Sequence, residues 1–287
     1  MTEAQVFDRR RCVLGEGPLW HPEREALFWF DIVAGKLMSR RGDDAPEWAF
    51  HEAASAAGWV DRDTLLVATA SGLRRLDLRT GAHEAVAPLD ADNPGTRSND
   101  GRADPQGGFW IGTMGLRGEA ERGAIHRYHR GELRRLFRRI TVPNAICFAP
   151  DGDLAYFADT RRRTVWRVAL DRDGWPRGEP ETFLDLRRVG LAPDGAVVDE
   201  DGCLWVAQWG AWRVACHGPD GSFRHAVAVG AAHATCPAFG GADRRTLFCT
   251  SARQGLVDET AAHHVGAGLT WAAEVEARGQ REHRVVL

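Results

Sequence analysis

Six short segments of this chain echo one another, and their recurrence limits the fold more than any other feature. They are Leu27-Phe-Trp-Phe-Asp-Ile, Thr64-Leu-Leu-Val-Ala-Thr, Gly108-Phe-Trp-Ile-Gly-Thr, Leu154-Ala-Tyr-Phe-Ala-Asp, Cys203-Leu-Trp-Val-Ala-Gln and Thr246-Leu-Phe-Cys-Thr-Ser. Their starts lie 37, 44, 46, 49 and 43 residues apart. Each is an apolar run of strand length that breaks into a small or polar residue. Turn clusters such as Ala149-Pro-Asp-Gly-Asp, Asp199-Glu-Asp-Gly-Cys and Gly218-Pro-Asp-Gly-Ser separate the units. A strand-built repeat of this period predicts an all-β, six-bladed β-propeller with four-stranded blades around a central channel. The echoes run through nearly all of the 287 residues, so residues 1–287 are expected to form a single domain.

A further strand is legible after most echoes. Lys36-Leu-Met-Ser-Arg, Leu73-Arg-Arg-Leu-Asp-Leu, Ala124-Ile-His-Arg-Tyr, Thr164-Val-Trp-Arg-Val and Trp212-Arg-Val-Ala-Cys each mix apolar and polar residues at strand spacing. A ring must close, or its first and last blades expose raw strand edges. The strand-like Gln5-Val-Phe-Asp is expected to join the last blade and seal it. A second strand-like segment, Glu282-His-Arg-Val-Val-Leu, follows blade six. Helical periodicity is nearly absent, apart from one candidate turn at Asp258–His264. Trp29, Trp110 and Trp205 fall inside the echoes and read as packing between blades.

The formal net charge of −3 gives no footprint for nucleic acid, and no apolar run approaches bilayer-spanning length. The six cysteines contain no C-x-x-C pair, and no signal peptide is visible, which suits free thiols in a reducing cytoplasm. The run Arg161-Arg-Arg reads as a solvated turn rather than a phosphate site.

Equivalent positions on different blades face one channel, so the echoes serve as a ruler. Upstream of four of them, at offsets of 11, 9, 10 and 9 residues, lie Glu16, Asn99, Asn144 and Asp194. Two carboxylates and two amide carbonyls at one phase make a hard-oxygen set. It suits a divalent cation such as Ca²⁺, Mg²⁺ or Mn²⁺, and tolerates Zn²⁺ or Fe²⁺. The second and sixth blades carry the Ala54-Ser55 region and Cys236 at this phase, without a matching oxygen ligand. None of the eleven histidines is in phase with the quartet, and no Gly-x-Ser-x-Gly elbow, His-Glu-x-x-His helix or phosphate loop is present.

The same residues carry a resemblance. Leu14-Gly-Glu-Gly-Pro-Leu-Trp, Arg97-Ser-Asn-Asp-Gly-Arg, Gly112-Thr-Met, Pro143-Asn-Ala-Ile-Cys-Phe-Ala-Pro-Asp-Gly, Pro193-Asp-Gly-Ala-Val-Val-Asp and Leu204-Trp-Val-Ala-Gln-Trp-Gly resemble, in order, the senescence-marker-protein/gluconolactonase/luciferin-regenerating-enzyme family. Cys236-Pro-Ala-Phe-Gly-Gly-Ala-Asp and Thr250-Ser-Ala-Arg resemble its bacterial sugar lactonases. The resemblance implies a six-bladed propeller and a metal-dependent lactonase that opens an aldonolactone of glucono-, xylono- or arabinono- type. It places the metal ligands on Glu16, Asn99, Asn144 and Asp194, and substrate contacts on Arg97 and Asn99. A glutamate after Gly-Thr-Met is expected on substrate hydroxyls, with Glu119 preferred over Glu121. Asp194 is the implied base, with hydroxide on the cation as the alternative. The implied partner is a small sugar lactone; two other readings are a phosphotriesterase-like hydrolase and a non-catalytic metal-binding propeller.

Overall fold

In the computed structural model, which describes residues 2–93, 95–256 and 264–287, the six echoes become the second strand of six blades. The innermost strands are Gly15–His21, Ala54–Asp61, Thr96–Ala103, Pro143–Phe148, Ala192–Val198 and Ala234–Gly240. Each packs against the next around the axis, and the sixth packs against the first, so the ring is closed. The sheets are antiparallel and four-stranded, with Thr2–Glu3 adding a short parallel fifth strand to blade five. The fold is a six-bladed β-propeller. Among the described residues no helix is long and apolar enough to cross a membrane. The helical turn expected at Asp258–His264 falls, apart from His264, outside the described residues.

Burial explains the apolar echoes. A blade is covered on both faces by its neighbours, so its second strand reads as a continuous apolar run rather than an alternating one. Trp29, Trp110 and Trp205 are fully buried between blades. The indole of Trp205 also donates to Asp199 Oδ2 at 2.8 Å. That aspartate belongs to the Asp-x-x-Gly turn ahead of the echo, and its other oxygen accepts the Asp201 and Cys203 amides. The turn and the buried indole thus satisfy each other. All six cysteines are free.

The N-terminal strand Gln5–Asp8 pairs with Thr270–Glu274 and completes blade six. Phe7 packs edge-on against Phe248 at 4.8 Å and lies near Trp29 at 6.5 Å, so it bridges blades six and one. Deleting residues 1–10 removes this strand and its aromatic wedge. Phe7 is partly buried, so its loss costs less than the roughly 3–5 kcal/mol of a fully buried Phe, but the lost strand pairing adds to it, and a domain of this size loses roughly 2–4 °C per kcal/mol. The melting temperature should therefore fall by about 10 °C or more by scanning calorimetry; an unchanged melt would rule out the strand as the closure.

The C-terminal segment behaves differently from its strand-like sequence. Residues 279–287 cross the channel at the far ends of the innermost strands. Gln280 Nε2 donates to Phe148 O and Val198 O at 2.9 and 3.0 Å, and Glu282 pairs with Arg102 at 2.8 Å. The Val285 and Val286 amides donate to Trp59 O and Gly107 O, both at 2.8 Å. Val285 itself is fully buried against blades two and three. The segment spans blades two to five and closes one end of the channel, which leaves the other end as the open mouth.

Candidate functional site

One local device recurs at that mouth. In all six innermost strands the register against the second strand slips near the strand's start, and Ala54–Asp61 slips a second time near its end. A β-bulge of this kind kinks the strand and re-aims the side chains around it. Glu16 faces Phe30, and Asn144 faces Ala158, at the residue just before the slip. Asn99 and Asp194 lie within it, opposite Gly112 and Ala207. All four thus sit at the bulge of their blade, within one residue of the same position. Glycine is required beside two of them. Gly17 has φ +54°, and a Cβ there would strike Ser55 O; a Cβ on Gly195 would strike the Cys236 sulfur.

An aspartate at or next to the end of two echoes positions the loop that leads into the bulge. Asp31 accepts the Val13 and Leu14 amides at 2.8 and 3.2 Å. Asp159 accepts the Thr141 and Val142 amides at 2.8 and 3.2 Å. The polar break at the end of these two echoes is thus what holds Glu16 and Asn144 in place.

Glu16, Arg97, Asn99, Asn144 and Asp194 line one cavity of about 450 Å³, within the range of small-molecule sites. Asn99 Nδ2 donates to Asn144 Oδ1 and to Pro143 O, both at 3.0 Å. Asn144 Nδ2 donates to the Thr160 hydroxyl, which donates to Pro193 O, each at 2.8 Å. Arg97 Nη1 donates to Ser98 O at 2.8 Å and to Asn99 Oδ1 at 3.0 Å. Blades three, four and five are therefore joined at the level of the bulges.

The two remaining blades carry hydroxyls there instead. Ser55 Oγ donates to Ser98 Oγ at 2.8 Å, and Thr235 Oγ1 donates to Gly15 O at 2.6 Å. The register puts Thr235, one residue before Cys236, at the sixth blade's equivalent position. Both hydroxyls are spent on neighbouring blades.

The electrostatics of the cavity are out of balance. Burial pushes the Glu16 carboxyl well above the usual carboxylate range, nearby Asp100 pushes it further, and the Gly17 amide and Arg97 oppose the rise. Burial also pushes Asp194 up, with Glu16 and Asp100 adding repulsion and the Gly195 amide opposing. Asp100 is a third buried carboxyl, which the sequence motif contains but spacing did not single out. Burial pushes it up to about 6 against the pull of the Ile146 amide, which donates to it at 2.8 Å. Buried carboxylates without a matching counter-charge are costly. A divalent cation facing Glu16 and Asp194 would supply the charge these residues lack, and two amide oxygens complete a hard-donor set. Among the described residues no group of three or more His, Cys, Asp and Glu side chains gathers as a metal cluster; the donors at this cavity are two carboxylates with two amides.

Glu119 and Glu121 stand apart from the cavity. Glu119 is exposed, and its carboxylate accepts the Arg117 amide at 2.9 Å, which closes its own loop. Glu121 pairs with Arg139 and Arg162, both at 2.7 Å. The cavity instead takes Met114, Thr160, Arg161, Arg163, Trp209 and Gln254; Arg161–Arg163 form the exposed turn expected of them, and Arg161 and Arg163 border the cavity from it. The signal for them was in the same ruler. The second strand runs antiparallel to the first and returns to the mouth, so residues just after each echo lie there too.

A profile of the SMP-30/Gluconolactonase/LRE-like region matches residues 14–253. An L-arabinolactonase of Azospirillum brasilense is 36% identical, over 98% of this chain and 95% of the relative. A 6-deoxy-6-sulfogluconolactonase of Pseudomonas putida is 34% identical, over 96% and 95%. The solved structure of a calcium-binding protein, regucalcin, from Agrobacterium tumefaciens superposes with a TM-score of 0.97 at 36% identity, covering 100% of this chain and 98% of that one. The match spans every blade, and the chain belongs to the SMP-30/gluconolactonase/LRE-like family.

Proposed function

We propose that this protein is a sugar lactonase that hydrolyses an aldonolactone to its aldonic acid at a divalent-cation site. The observation that carries the reading is the pairing of buried, under-neutralised Glu16 and Asp194 with Asn99, Asn144 and Arg97 around one open cavity. Support comes from two relatives named as lactonases and from a structural relative named as calcium-binding. Glu16, Asn99, Asn144 and Asp194 would hold the cation. When bound it would polarise the lactone carbonyl and stabilise the charge that develops on its oxygen.

The chain's own residues do the rest. Arg97 spends Nη1 on Ser98 and Asn99, which fixes its guanidinium and leaves the other donors of the fork for ring oxygen or hydroxyls. Asp194 accepts a proton from the attacking water. The water oxygen joins the carbonyl carbon, the ring C–O bond breaks, and the departing ring oxygen takes a proton. One proton is released per turnover at neutral pH. The closed far end of the channel confines exchange with solvent to the mouth.

A pH-indicator assay with a panel of aldono-1,4- and 1,5-lactones, run with a series of divalent ions, tests the reading. Proton release with at least one lactone is expected, and it should depend on the added ion. Silence across the whole panel would overturn the lactonase assignment.

A further inference from the structure

Arg161 and Arg163 line the same cavity as Glu16 and Asp194, yet nothing in lactone hydrolysis itself calls for them. We propose that they bind an anionic substituent on the lactone, so that the preferred substrate is an aldonolactone carrying a carboxylate, sulfonate or phosphate away from the reacting carbonyl. This inference rests on the lactonase reading and specifies its substrate class.

The three arginines of the run are treated differently by the fold. Arg162 is consumed by carboxylates, pairing with Glu121 at 2.7 Å and Asp159 at 3.6 Å. Among the described residues no carboxylate lies within ion-pair distance of Arg161 or Arg163, and these two are the ones that face the cavity. Both also line a second, outer cavity with Arg162 and Arg187, so a basic path leads from the outside of blade four to the mouth.

The turn that presents them is fixed relative to the reacting centre. The Arg163 amide donates to Thr160 O at 3.2 Å, and the Leu186 amide donates to Arg163 O at 2.9 Å. Arg163 has φ 54°, a left-handed position that L residues seldom adopt without surrounding constraint. The side chain of Thr160 is itself bonded to Asn144 and to Pro193 O. An anion held by this turn would therefore have a set position relative to Asn144 and Asp194.

Charge balance favours the same conclusion. With a divalent cation bound, Arg97, Arg161 and Arg163 would outweigh Glu16, Asp100 and Asp194. Such a mouth attracts anions and gains most from a substrate that brings its own negative charge. Guanidinium forks suit carboxylate, sulfonate and phosphate groups alike.

The test compares a neutral aldonolactone with lactones of the same ring bearing a terminal carboxylate, sulfonate or phosphate. In the wild-type protein at least one charged lactone should exceed the neutral one in kcat/KM by about 10- to 100-fold, mainly through KM. The preference should shrink as salt rises. Arg161→Gln with Arg163→Gln should collapse the ratio toward one, whereas Arg162→Gln should keep it. Arg161→Glu, a charge reversal at an exposed residue, should push the ratio below one and guards against misfolding of the double variant. Which of the three anions gains most identifies the substituent. Binding of the charged aldonates, followed by calorimetry, separates the two readings. Turnover of neutral lactones with no anion preference, or a preference that survives loss of both arginines, overturns the anion site. Binding that depends on the arginines, with no turnover of any lactone, supports the anion site and defeats the lactonase reading.

Discussion

Asp194→Asn is expected to cost about 10³–10⁴-fold in kcat while leaving the cation-free protein as stable as before, or more so. General-base catalysis is worth roughly 10²–10⁴-fold, and the upper part of that range applies because the same carboxylate would also hold the cation. The stability half of the expectation comes from burial. Asp194 is pushed up first by desolvation and then by Glu16 and Asp100, so its charged form is a burden on the cation-free fold. Asparagine has nearly the same shape and no charge. It relieves repulsion on Glu16 without opening a cavity, so the thermal midpoint in chelator should hold or rise. Activity and stability would then move in opposite directions, which a merely structural residue would not produce.

Two measurements make the result decisive. The first is the turnover of the best lactone by pH-indicator assay, with saturating cation. The second is the cation content of the variant, because a lost ion would mimic a lost base. Full cation occupancy with turnover reduced by about 10³-fold or more assigns the base to Asp194. Turnover within tenfold of wild type, with the cation bound, would remove Asp194 from that role.

Much of the architecture was readable because burial imposes a pattern on the chain. A strand covered on both faces must be apolar throughout, and a ring of equivalent blades must repeat it. Glu16, Asn99, Asn144 and Asp194 were legible for a related reason. Each sits at the bulge of an innermost strand, 9 to 11 residues before an echo, so one ruler finds all four. Closure of blade six by Gln5–Asp8 followed from the cost of an open edge.

What escaped the sequence lacked such a pattern or was sought on one side only. Residues 279–287 cross the channel instead of pairing along a blade, and their contacts come from backbone carbonyls of blades two to five rather than from any periodicity. Thr235 was displaced by its neighbour Cys236 because a bulge shifts phase by one residue. Arg161 and Arg163 were read only as part of a solvated turn, because the ruler was applied upstream of the echoes and they lie just downstream of one. Glu119 was chosen for its distance from Gly112-Thr-Met, but a short loop can spend a carboxylate on its own backbone, and here the Arg117 amide takes it.

Adding a divalent cation to stripped protein is expected to raise the thermal midpoint by roughly 5–10 °C at about pH 8 and much less at about pH 5. An ion at about 100 times its dissociation constant stabilises by roughly 2.7 kcal/mol, and a domain of this size gains about 2–4 °C per kcal/mol. The pH dependence follows from the direction of the shifts. Glu16 is pushed up to about 8 by burial first and then by Asp100, and Asp194 is pushed up for the same kinds of reason. In the cation-free fold both carboxyls therefore hold protons at acidic pH, where they contribute stability, and that contribution is lost as the pH rises through their folded values. A cation needs both as carboxylates, so protons compete with it at low pH and least so at high pH. The gain should vanish in Glu16→Gln, and chelation of wild-type protein should silence lactone hydrolysis until the ion is restored. A gain that is absent, independent of pH, or larger at about pH 5 would contradict a cation held by Glu16 and Asp194. Activity that survives exhaustive chelation would exclude the cation from the reaction, and would leave the arginines of the cavity, Arg97 beside Asn99 first among them, for the developing oxyanion.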